Sequence, residues 1–122
     1  MYGVPFLMLT PMLALALFAV DRPFTTGTDL VHECKNYIAM LDSTRNLDSV
    51  DSYEAGACFG YIDGMTAGLT TMRVACPTDA TLGTLVRVYL VYMEKHPKTL
   101  DFAASAGVYG ALQEAYPCPV KK

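Results

Sequence analysis

The sequence predicts an all-α fold, a compact bundle of about four main helices stapled by two disulfides. Three observations lead there. Apolar residues recur at spacings of three and four along most of the chain, the signature of helices that bury one face. No stretch sustains the strict alternation of a half-buried strand. Four cysteines, Cys34, Cys58, Cys76 and Cys118, follow an N-terminus that reads as an export signal, and export puts thiols where they oxidise.

Composition narrows the function classes. With 52% hydrophobic and 17% charged residues the 122-residue chain is no disordered acidic polymer. Nine Lys and Arg against twelve Asp and Glu leave a net charge of −3, so there is no basic face for nucleic acid. Val4 to Val20 is apolar apart from Thr10 and contains Pro5 and Pro11. That is short for a spanning helix, which needs about 20 apolar residues. Small residues at Ala14, Ala16 and Ala19 suit a signal peptidase, and cleavage is expected after Ala19. The expected organisation is a signal peptide over 1–19, a leader over 20–28, the helical domain over 29–118 and a tail over 119–122. The segment has no Lys or Arg before its apolar run. The alternative is an N-terminal anchor that is retained.

The first helix is expected to be capped by Thr28, with Asp29 in its first turn. Leu30, Cys34, Tyr37, Ile38 and Leu41 form its apolar stripe, and it ends near Asp42. Residues 43–52 are polar and read as a loop. The second helix is expected from about Tyr53 to Met72, burying Cys58, Ile62, Met65, Leu69 and Met72. Gly56, Gly60, Gly64 and Gly68 share another of its faces. Each lowers helix propensity by about 1 kcal/mol against Ala, which predicts tight packing on a neighbouring helix of the same domain, or else a dimer contact. Glu54 and Asp63 argue against a membrane span.

A third helix, capped by Thr78 or Thr81, buries Leu82, Leu85, Val86, Tyr89, Leu90 and Met93. It ends at His96-Pro97, since the residue before proline leaves helical geometry. His96 is placed to meet the last carbonyls. A fourth helix is expected from a Thr99 cap, with Phe102, Ala106, Val108 or Tyr109, Leu112 and Ala115 inside, and Pro117 and Pro119 stop it. Four cysteines allow three pairings. The helix order favours Cys34–Cys58, joining the first two helices, and Cys76–Cys118, closing the open end of the last two. Each bridge stabilises by roughly 3–4 kcal/mol in the chain-entropy view.

Catalytic constellations are missing from the sequence. His32 lies two residues from Cys34, so the two side chains leave the helix in different directions, and a disulfide removes Cys34 as a nucleophile. There is no Gly-x-Ser-x-Gly and no phosphate loop. No Cys pair has zinc spacing, so neither a metal nor another cofactor is expected. The carboxylates of Asp48, Asp51 and Glu54 fall in a polar stretch, unlike the buried pairs that do acid–base work. Together with Asp42 they form an acidic segment that can hold a basic partner, or simply a solubilising loop. Arg87 and Tyr92 on the third helix are further candidate contacts, since both residue types anchor interfaces, although its tyrosines also suit a core.

The run Cys58-Phe59-Gly60-Tyr61-Ile62-Asp63-Gly64, followed by Ala75-Cys76-Pro77, Val88-Tyr89-Leu90, His96-Pro97 and Ala115-Tyr116-Pro117-Cys118, resembles the Rap/Tai family of type VI secretion immunity proteins. The resemblance covers about Leu30 to Cys118. It implies a small, exported, mostly helical periplasmic protein that neutralises an injected peptidoglycan amidase without catalysis, in several members as a homodimer. The shared positions are cysteines, glycines and helix stops, so no toxin contact carries over. Gly107 and Gly110 in the fourth helix depart from the pattern. The competing expectation is an envelope assembly protein that keeps its N-terminal anchor and has no toxin partner.

Overall fold

The computed structural model describes residues 24–120; the expected signal peptide, the first four residues of the leader and the last two lysines lie outside them. Four α-helices pack together: α1 (Gly27–Asp42), α2 (Ser49–Thr71), α3 (Leu82–Lys95) and α4 (Ala104–Ala115). A 3-10 turn over Pro97–Asp101 joins the last two. Helix α1 touches each of the other three and is the centre of the bundle. The core takes Leu30, Cys34 and Tyr37 from α1, Cys58, Ile62 and Leu69 from α2, Val86, Tyr89 and Met93 from α3, and Val108 and Leu112 from α4.

Both predicted disulfides are present. Cys34–Cys58 joins α1 to α2 with Cα atoms 5.0 Å apart, and both cysteines are fully buried. Cys76–Cys118 closes the open end of the α3–α4 pair, supported by a hydrogen bond from Cys76 N–H to the Tyr116 carbonyl at 2.8 Å.

The helix ends correct several expectations. Thr26, not Thr28, caps α1 through a capping box with Asp29. Helix α2 starts at Ser49 because Asp48 caps it by accepting the Asp51 N–H, so the expected loop ends four residues early. Thr81 rather than Thr78 caps α3. At the end of α3, His96 Nδ1 donates to the Tyr92 carbonyl at 2.9 Å, as expected.

The fourth helix differs most. Thr99 lies in the 3-10 turn, and α4 begins only after Ala103, with no side-chain cap. A remote piece of backbone replaces the cap. Thr26 and Ala103 form an antiparallel bridge, the Ala104 N–H donates to the Thr25 carbonyl at 2.8 Å, and the Gly27 N–H donates to the Phe102 carbonyl at 2.9 Å. The late start turns the helix, so Val108 and Leu112 are inside as expected while Phe102, Ala106, Tyr109 and Ala115 are exposed. Ala104, Gly107 and Ala111 take their places, small residues that let α4 approach α3. Leu41 and Met72, at the ends of their stripes, are also exposed.

The glycines of α2 are the largest surprise. Among the described residues, a methyl group built on Gly56, Gly60, Gly64 or Gly68 meets nothing within 4 Å. The expected packing against a neighbouring helix of the same domain does not occur, because α1 and α4 lie against the Cys58–Ile62–Leu69 side.

Candidate interaction surface

Where α1 ends and α2 begins, polar side chains form a chain of contacts. Asn36 is 2% exposed. Its amide Nδ2 donates to Glu54 Oε2 at 2.6 Å, and its Oδ1 accepts from Arg45. Burying an amide is tolerated when both ends are matched. Arg45 also pairs with Asp51 at 2.9 Å, which fastens the connecting loop to α2. His32 Nε2 lies 2.8 Å from Glu54 Oε2 on the other side. One turn further, Asp42 at the end of α1 meets Arg87 of α3 at 2.6 Å.

Five of the six sequence-predicted contact residues are thus drawn into pairs or caps around α1 and α2. Asp42 holds Arg87, Asp51 holds Arg45, Glu54 holds Asn36 and His32, and Asp48 caps α2. Tyr92 is engaged elsewhere. Its ring stacks on His96 with centroids 4.0 Å apart, and its hydroxyl lies against Gly110 of α4. It borders a cleft of about 200 Å³ with Val88, Val91 and Lys95.

The sequence reasoning missed Asn36, Arg45 and His32 as organisers of this surface. The readable signal was Asn36, an uncharged amide beside the Cys34–Tyr37 stripe, where only a partnered polar group can be buried. Glu33 was missed as well. Burial, then the carboxylates of Asp29 and Glu54, push its carboxyl above the ordinary value, with His32 opposing. In the core, burial raises the Tyr89 phenol well above its usual range, with Tyr61 and Glu33 adding to the effect.

Among the described residues no group of three or more His, Cys, Asp or Glu is placed to hold a metal ion, and no helix is long and apolar enough to cross a membrane. Every cysteine is in a disulfide, so none can act as a thiol nucleophile. What the arrangement can do chemically is present a rigid, cross-linked, polar and aromatic surface.

No curated protein and no solved structure matches the chain. The family model of the Rap1a immunity proteins matches residues 26–118. The match runs from the Thr26 cap of α1 to the last cysteine of the second disulfide, which takes in all four helices and both bridges. By that match the chain belongs to the Rap1a immunity protein family, whose members are non-catalytic.

Proposed function

We propose that this protein is a periplasmic immunity protein that binds a cognate type VI secretion effector, a peptidoglycan amidase, and blocks its active site. The observation that carries the reading is the family match across the whole helical domain. Two disulfides suit an oxidising compartment such as the periplasm. The partner contacts are proposed at the α1–α2 junction, through Asp42, Asp48, Asp51 and Glu54, with Arg87 and Tyr92 on α3. A homodimer is part of this reading, and the uncovered glycine face of α2 is the surface that supports it.

The test is a titration of the oxidised protein, from Val20 onward, with the product of the adjacent gene while peptidoglycan hydrolysis is followed. The expected result is binding of about nanomolar strength, as natural complexes of standard size reach, with loss of hydrolysis. A folded domain that neither binds nor inhibits would sink the proposal and favour the envelope-assembly reading. In that case the mass of the protein from cells should show Met1 still in place.

A further inference from the structure

A concavity of about 930 Å³ lies between the strand-like lead-in to α1 and the first two turns of α1 and of α2. Its apolar walls are unusually open to solvent: Phe24 is 66% exposed, Val50 62% and Tyr53 79%. Side chains that exposed add little to folding, and clustered apolar surface of this kind marks interaction sites. Tyrosine in particular is enriched among binding anchors.

Among the described residues the carboxylates give the concavity charge of one sign. Glu33 and Glu54 lie in it, and Asp29, engaged with Thr26, stands at its rim. Among the described residues no Lys or Arg lines it, and the imidazole that does, His32, sits on Glu54. Burial raises the Glu33 carboxyl most, and the like charges of Asp29 and Glu54 add to that push. A cation entering between the carboxylates relieves the like-charge part of it. The apolar walls suit the methylene stem of Arg or Lys and its apolar neighbours.

We propose that this groove docks a segment of a partner protein that carries an Arg or Lys flanked by apolar residues, the cation meeting Glu33 and Glu54 and the flanks packing on Tyr53, Val50 and Phe24. Groove-to-groove pairing of two copies would set carboxylate against carboxylate, so a second copy is not the occupant. The naming of that partner as the effector rests on the function proposed above; the chemistry of the groove does not.

Two measurements separate the two ideas. In the first, the labelled protein is titrated with the amidated peptide acetyl-Leu-Arg-Tyr-Arg-Leu and with its counterpart bearing Asp for Arg, and backbone amide shifts are followed. Shifts at Glu33, Tyr53 and Glu54 with the basic peptide alone, weakened about tenfold in Tyr53→Ala and Glu33→Gln, are expected for a hot-spot anchor. Equal response to both peptides, or none in the groove, overturns the proposal. In the second, the adjacent-gene product is titrated with the wild type, Tyr53→Ala, Glu33→Gln and the remote Asp79→Asn. Loss of at least about tenfold in the two groove variants alone supports the groove as the effector's dock. Equal binding by all four overturns that assignment while the immunity reading stands. No binding even by the wild type sinks the immunity reading, and the peptide result then decides the groove by itself.

Discussion

At the start of α1 and in α4, a side chain in place of glycine would run into its neighbours. A methyl group on Gly27 would stand 2.7 Å from the Thr99 carbonyl oxygen and 2.9 Å from Leu100 Cα, and one on Gly107 would stand 2.6 Å from Met93 Sδ. In α2 the same substitution meets open space at four successive positions. The first group of glycines is explained inside the fold, since they let α1 and α4 close onto the 3-10 turn and α3. The second group is not. Each α2 glycine lowers helix stability by about 1 kcal/mol against Ala and gains no close packing against the other described residues. The comparison teaches that one residue type can record two kinds of constraint, and that only the neighbours tell them apart.

The largest expected effect tests how α2 is held at all. Its outer face adds no packing, so it depends on its inner face and on the Cys34–Cys58 bridge. Replacing both cysteines by Ala should lower stability by about 2–5 kcal/mol, read from urea unfolding with the other disulfide intact. A loss under about 1 kcal/mol would show that the inner face suffices. Next is Gly27→Ala, where two of the three obstructing atoms, the Thr99 carbonyl oxygen and Leu100 Cα, are backbone and cannot swing away as Met93 Cε can. It should lower stability by about 2–3 kcal/mol, the upper part of the range for overpacking.

Gly60→Ala with Gly64→Ala should act in the opposite direction and raise stability by up to about 2 kcal/mol. A loss that grows with protein concentration would instead reveal a second copy seated on this face. The smallest effect concerns Glu33, on the other uncovered region. Its folded-state carboxyl titrates above its unfolded value, so protonation favours the folded state. That contribution is full below the unfolded value and is lost as pH rises through the folded one. Glu33→Gln should therefore gain on the wild type as unfolding midpoints are compared from acidic to neutral pH. Parallel midpoint curves would show that neither the burial of Glu33 nor the like charge around it has an energetic consequence.

Much of the fold was legible because it is local. The Leu30–Cys34–Tyr37 and Cys58–Ile62–Leu69 stripes follow from the 3.6-residue period, and once the helices were placed they brought the right cysteines together. His96-Pro97 stopped α3 through a steric rule that needs no partner. The start of α4 was not legible. Its cap is the backbone of Thr25, more than seventy residues away, and no side chain near Thr99 announces it. The candidate surface divided in the same manner. The acidic residues around α2 could be listed from the sequence, but not that Asp51 and Glu54 already hold Arg45, Asn36 and His32.

By itself the sequence determined the all-α class, the four helices, both disulfide pairings and the family, because periodicity, helix stops and cysteine order are local or topological properties. Tertiary structure alone decided three things: where α4 begins, which glycines are confined, and that Phe24, Val50 and Tyr53 surround Glu33 and Glu54 in one groove. Each depends on which atoms of distant segments occupy the same space, and burial, electrostatic crowding and steric closure arise only there.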